Sequence, residues 1–525
     1  MKKFLLVSLI ALSVCSLAFA GGSKEAKTVT TEDGLVPINM WYGAAVTEAG
    51  PIPEDWVGYD IIRDELGIEL TITALPSNES DQDVRIQAAG AANDLPDVFF
   101  VSRPVLENLV KQGLVAAIDE IYDMMPNRTA KYHDAASINH TMFDGENFGM
   151  AVPSSTTPIE GLAIRKDWLD NLGLEVPTTL DEFYDVMYAF TYDDPDGNGR
   201  DDTWGYGAFV ESNTTLKGYP GSRLWPLMGA FGVCGLWSFN ESDLGLTVYK
   251  DGFYDFIAYF RKLVKDGVVD PNWLSYRKDD FRAAWKQGRF GCMYEQWAAL
   301  GAESNYAPFD TNFPDGEWII IEPPVGPNGE QSTGALDKTY RIYAVSQKAY
   351  DQGKLPAIAK LFEWMGSDEG YYLLGYGVEG VNYVLNENGD PSTEGLGDMS
   401  YTGQKGQVYT QLRNLVYTNT AEETRVRFPD YVAKTSGKTI SPTGFLAAME
   451  QTPWTEAVGS GMMPTPNADV SRFYEQSIAE FLNGTKELTP ENWQKFLSDF
   501  DRVGGAAWNE EGIEYARANN LVVAD

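Results

Sequence analysis

The sequence predicts an α/β protein built from two regions, each a mixed, mostly parallel sheet flanked by helices. Three observations carry this. Strand and helix patterns alternate from residue 38 to 113, as in βαβ units. The small-polar stretch "AVPSSTTP" (151–158) then breaks the pattern. A second alternating series opens directly after it with "EGLAIRK" (160–166).

The elements follow in order. "INMWY" (38–42) reads as a buried strand. "WVGYDIIRDELG" (56–67) reads as a helix with Trp56, Tyr59, Ile61, Ile62 and Leu66 mainly on one face, stopped by Gly67. "IELTITAL" (68–75) alternates like a strand, "DVRIQAAGAAN" (83–93) is helical, "PDVFFVS" (96–102) is a strand, and the helix "PVLENLVKQG" (104–113) follows. In the second region "DWLDNLGL" is helical, and "PTTLDEFYDVMYAFTYDD" (177–194) opens on a capping box. There Thr179 or Thr178 is answered by Glu182 or Asp181. Further helices ("GFYDFIAYFRKLVKDG", "DDFRAAWKQG") alternate with strands ("RFGCMYEQW", "EWIIIEPP", "TYRIYAVS"), and the last 70 residues are largely helical. No short-period repeat occurs.

The N-terminus reads as an export signal. Lys2 and Lys3 precede an apolar run from Phe4 to Leu17, and Ala18-Phe19-Ala20 is a small-residue cleavage site. A lipid anchor at Cys15 is the alternative, although Val14 is bulky for that signal. Residues 21–36 read as a tether. Removing 20 of 525 residues leaves 505, enough for two or three domains, and takes the net charge from −36 to −38. That charge repels phosphate backbones and argues against nucleic acid. It also disfavours a polyanionic ligand, unless cations or local arginines intervene. With 43% hydrophobic residues the chain can bury a substantial core. Beyond the signal only Cys234 and Cys292 remain, either as one disulfide or as two buried thiols.

"DDPDGNGRDD" (193–202) is the loudest chemical signal. Asp194, Asp196 and Asn198 stand at alternating positions, Gly199 allows a sharp turn, Arg200 can offer its carbonyl, and Asp202 follows. This copies the first nine positions of an EF-hand loop and points to Ca2+. The usual glutamate at the twelfth position is Gly205. A solvated Asx/Gly turn is the plainer reading.

Other motifs fail in context. "GYGVEG" (375–380) matches G-x-G-x-x-G but follows a helix, and "KTSGKT" (434–439) lacks the leading glycine of a phosphate loop. His133 and His140 lack zinc-hydrolase spacing, and there is no G-x-S-x-G elbow.

The block "LAIRKDWLDNLGLEVPTTLDEFYDVMYAFTYDDPDGNG" resembles the central block of extracellular solute-binding proteins of ABC importers, family 1, within them the LplA-like sugar and oligosaccharide lipoproteins. "NDLPDVFFVS", "LVKQGLVAAIDE", "KQGRFGCMYEQW" and "YGVEGVNYVL" are similar to further family stretches, in the expected order. The resemblance implies a two-lobe periplasmic-binding-protein fold (type II-like) with a hinge and an interlobe cleft. It implies a periplasmic or cell-surface monomer that takes a carbohydrate and delivers it to a membrane permease without bond-making chemistry. It also implies that a metal in the aspartate loop clamps the second lobe away from the ligand. Residues 37–153 with 339–385 would form lobe I, and 154–338 with 386–525 lobe II, with "AVPSS" and "RIYAVS" as crossovers.

A sugar offers apolar faces and a rim of hydroxyls, so its receptor needs aromatic plates and fixed polar groups. Trp297, with Glu295 beside it, is the candidate by resemblance. Trp225, Trp454, Tyr42, Arg103, Ser154 and Ser155 are further candidates from their places at strand ends and loops. Trp285, Trp364 and Trp493 lie on helical patterns and read as core. Two alternatives stay open: a glycoside hydrolase, needing only two carboxylates, and a binder of peptides or other polar solutes.

Overall fold

A computed structural model describes residues 28–524 except 47–48, 77–78, 154–157, 211–218, 337–339, 419 and 458–459. The export signal with Cys15, most of the tether, and Ser154 and Ser155 lie outside the described residues.

Among the described residues, nine strands build two principal sheets. They are β1 (Val36–Tyr42), β2 (Ile68–Ala74), β3 (Val98–Val101), β4 (Met150–Pro153), β5 (Glu160–Arg165), β6 (Trp204–Gly207), β7 (Phe290–Gln296), β8 (Trp318–Ile321) and β9 (Tyr340–Val345). The first sheet has the order β2-β1-β3-β9-β4. Its β1 runs parallel to β2 and β3, while β9 is antiparallel to β3 and β4. The second sheet has the order β8-β5-β7-β6, with β7 parallel to β6 and β5 antiparallel to both β7 and β8. Antiparallel pairing is thus commoner here than the alternation suggests. Alternation reports chain neighbours, whereas β5 and β7 meet across more than a hundred residues of intervening helix and loop.

Strand periodicity builds the cores. Ile38, Met40, Val98, Val152, Tyr343 and Val345 face one side of the first sheet, and Phe99, Val101, Ala151, Ile342 and Ala344 face the other. In the second sheet Leu162, Ile164, Cys292 and Tyr294 pack on one side, and Ala163, Met293 and Trp318 on the other. Every residue of β5 is buried, as a central strand covered on both faces requires. Trp285, Trp364 and Trp493 are buried as expected, and Cys234 and Cys292 are free thiols inside the second lobe.

Local signals explain the helix ends. The helix Leu180–Tyr192 opens on the predicted capping box: Thr179 accepts from the Glu182 N–H at 3.2 Å, and Glu182 accepts from Thr178 and Thr179. The expected helix over 56–67 forms as Val57–Ile61 followed by a π-turn, Ile62–Leu66, and Gly67 ends it at φ 70°.

Val152 lies in the first core and Leu162 in the second, Ala335 in the second and Tyr340 beside the first, Tyr417 in the first and Tyr431 beside the second, so the chain passes between the cores in each of these three intervals. "RIYAV" forms most of β9, the strand that follows the second of them. Tyr401, Leu412, Leu415, Val416 and Tyr417 pack in the first core, although the sequence assigns everything after 385 to lobe II. That stretch holds only short 3-10 turns, so no periodic pattern marks its lobe.

Candidate ligand-binding cleft

The site grows from the ends of two strands. β5 begins at Glu160, just after the first passage between lobes, and Gln296 at the end of β7 pairs with it. Arg223, in the turn Ser222–Leu224, reaches both strands. Its Nη1 donates to the Tyr294 carbonyl at 2.7 Å and its Nη2 to Glu160 Oε1 at 2.8 Å, and Nη1 lies 3.9 Å from Glu295 Oε1. Arg282 grips Glu295 with a two-pronged fork, Nε to Oε2 at 3.0 Å and Nη2 to Oε1 at 2.9 Å. Gln296 closes the network by donating to Glu160 and accepting from Arg282. Burial alone would raise the Glu295 pKa, but the two guanidiniums more than offset it and hold the carboxyl below its usual range.

Three aromatics gather beside this network, around Gly334. A Cβ there would lie 2.7 Å from Tyr294 Oη, 2.8 Å from the Trp454 ring and 2.9 Å from the Trp225 ring, so only glycine fits. Trp225 and Tyr294 meet edge to face with centroids 6.5 Å apart. Trp454 is half-buried and donates its indole N–H to the Met449 carbonyl at 3.1 Å. The buried Trp225 indole N–H finds no partner among the described residues.

The sequence candidates therefore divide. Trp225, Glu295 and Trp454 come together through Tyr294, Arg223 and Gly334. Trp297, half-buried at the end of β7, packs edge to face on Phe428 at 5.0 Å, beside the third passage. Tyr42 lies apart from this group: it is 1% exposed in the first core, where its hydroxyl accepts from the Ile52 N–H. Arg103 lies apart as well. Its guanidinium is buried and spans the lobes, donating to the His140 carbonyl at 2.9 Å, the Met462 carbonyl at 3.4 Å and Tyr515 Oη at 3.3 Å. Arg103 ties the lobes to one another, with each of its three nitrogens engaged in a hydrogen bond. The sequence did not single out Glu160, Arg223, Arg282 or Tyr294, although "SRLWP" and "CMYEQW" contain Arg223 and Tyr294.

The aspartate loop follows the helix Leu180–Tyr192. Asp194 accepts from the backbone N–H of Asn198 and of Gly199, both at 3.0 Å, and Gly197 and Gly199 have positive φ. Asn198 donates its side-chain amide to Asp196 at 2.8 Å and Asp202 at 3.1 Å, and the Arg200 guanidinium stands 4.0 Å from Asp202. The Asp196 pKa is raised, by burial first and then by the neighbouring carboxyls. Among the described residues, no three carboxylate, imidazole or thiol groups gather closely enough to hold an ion.

Residues 60–372, more than half of the chain, match the family of bacterial extracellular solute-binding proteins. The chain belongs to that family. Among its relatives is the polygalacturonan/rhamnogalacturonan-binding protein YtcQ of Bacillus subtilis, 28% identical over 353 residues, 65% of this chain and 64% of YtcQ. Another is the fructooligosaccharide transporter substrate-binding protein FusA of Streptococcus pneumoniae, 26% identical over 265 residues, 46% of this chain and 45% of FusA. The chain thus spans under two thirds of either relative's length. Solved structures share the fold over most of this solute-binding protein. An HMO-binding protein of Bifidobacterium longum infantis aligns at TM-score 0.71 with 17% identity, covering 92% of this chain and 99% of its own. FusA in complex with kestose aligns at 0.68 with 16% identity, covering 92% and 99%.

Proposed function

We propose that this solute-binding protein captures a carbohydrate, an oligosaccharide, between its lobes and hands it to a membrane ABC permease from the periplasm or cell surface. The observation that carries this reading is the site around Gly334. Half-buried Trp454 supplies an apolar face, backed by the buried Trp225 and Tyr294, and the Glu160–Arg223–Glu295–Arg282 network beside them fixes the surrounding polar groups. The relatives named for binding or transporting saccharides support the same ligand class.

The ligand leaves unchanged in this reading. A glycosidase needs a carboxyl that stays protonated to act as general acid, and Glu295 is held the other way by two arginines. In the aspartate loop, the oxygen donors of Asp194, Asp196, Asn198 and Asp202 and the Arg200 carbonyl would have to draw closer together than they stand here to hold Ca2+. The ion would neutralise crowded carboxylates at the end of the helix Leu180–Tyr192 and take no part in ligand capture.

A thermal-shift screen of sugars and peptides, paired with glycosidase assays, tests the reading. Stabilisation by saccharides without product is expected. Turnover lost on Glu295→Gln, or stabilisation by peptides alone, would overturn it.

A further inference from the structure

Arginines inside the second lobe have carboxylate partners: buried Arg165 with Asp167, buried Arg223 with Glu160, and half-buried Arg282 with Glu295. The first lobe contains a cluster built differently. Arg341 is the second residue of β9, just after the chain returns from the second lobe, and its one hydrogen bond is a long one, Nη1 to the Asn414 carbonyl at 3.4 Å. Its neighbour Arg413 donates only to Thr410, to the hydroxyl at 3.2 Å and the carbonyl at 3.4 Å. Among the described residues neither has a carboxylate partner. Arg427 lies over the Tyr417 ring at 3.7 Å and shares Glu423, 3.9 Å away, with the Tyr371 hydroxyl.

The three guanidiniums are close enough to repel one another. Burial, then this repulsion, pushes Arg341 down to about 10, and burial likewise pushes Arg413 to about 10. Arg341 and Arg413 thus stand beside a third guanidinium with no carboxylate of their own among the described residues, in a chain with 76 acidic and 40 basic residues. An uncompensated buried charge is costly, so an anionic group arriving from outside would be favoured there. The cluster also sits at the lobe junction, since Phe428, next to Arg427, packs on Trp297 of the second lobe.

We propose that Arg341 and Arg413, with Arg427 behind them, bind the acid group of an anionic saccharide, a uronate carboxylate. Guanidinium forks match carboxylate geometry, and the ring carrying the acid would lie against the Trp297–Phe428 pair. This rests on the proposed carbohydrate function and adds the ligand's charge to it. It also reverses what net charge predicts, because local arginines outweigh the acidic surface at short range.

The test is calorimetry with a defined uronic-acid trisaccharide, its methyl ester and a sulfated trisaccharide, on the wild type, Arg341→Gln and Arg413→Gln. The free acid is expected to bind about tenfold or more tighter than the ester, as charge-assisted hydrogen bonds allow. Each variant should lose about tenfold for the acid and stay within about twofold for the ester. The melting temperature of each variant should hold or rise, because mutual repulsion is relieved. If a variant fails to fold, the acid–ester comparison on the wild type decides. Equal binding of acid and ester overturns the arginine assignment and leaves the carbohydrate reading standing. A preference for the sulfated sugar overturns the carboxylate. Binding of no saccharide, acidic or neutral, overturns the carbohydrate reading itself.

Discussion

In the second lobe Arg223 and Arg282 close on Glu160 and Glu295, and every charge in that network has an opposite within reach. In the first lobe, among the described residues, Arg341 and Arg413 donate only to backbone and threonine oxygens. Both clusters lie where a strand meets a passage between lobes, so position alone does not separate them. Pairing does. A satisfied network fixes β5 against β7 and shapes the wall that carries Trp225 and Tyr294. An unsatisfied one keeps its binding capacity for something that arrives.

The contrast predicts opposite responses to neutralising one member. Glu295→Gln leaves Arg282 without its carboxylate and should destabilise the protein most, by about 3 kcal/mol or more in urea unfolding. Arginine substitutions in the first lobe should cost little. Equal costs on both sides would erase the distinction. Next in size is Gly334→Leu, which drives a side chain into Trp225, Tyr294 and Trp454. Overpacking costs about 1–3 kcal/mol, and saccharide affinity should fall with it. Unchanged affinity would move the sugar site elsewhere.

Acid sharpens the comparison. The Glu295 pKa is depressed in the folded state, so its stabilisation is present above the unfolded carboxyl value and is lost as pH falls through the folded value. His133 and His140 act with the same sign. Burial, then Arg128 and Arg103 respectively, pushes each down to about 3. Between about pH 6.5 and 3 the unfolded chain therefore binds more protons, and stability should decline across that window. His140→Gln should flatten the slope in denaturant titrations followed across pH. The smallest effect is calcium. Adding it after chelation should raise the melting temperature by about 3 °C and leave sugar affinity unmoved, and Asp196→Asn should abolish the shift.

Much of the fold was legible because its signals are local. Alternation exposed β1 to β3, the Thr179–Glu182 box opened its helix where expected, and the aspartate loop announced itself as a motif. The site was only partly legible because it is assembled over distance. Arg223 and Glu160 are 63 residues apart in sequence, and no period or motif marks a single arginine that will meet a single glutamate. Trp225 and Trp454 were visible as aromatics at loop ends, yet what unites them is Gly334, which the sequence leaves unremarked. Tyr42 stands apart for a related reason: a strand-end aromatic reads the same in sequence whether it faces a cleft or, as here, accepts a hydrogen bond inside the core.

Capture between the lobes is the central step of the proposed function. Small-angle X-ray scattering of the protein, free and saturated with the saccharide that stabilises it most, tests this directly. Closure predicts a smaller radius of gyration in the bound state and an intact sugar recovered afterwards. An unchanged radius of gyration at saturation would contradict it.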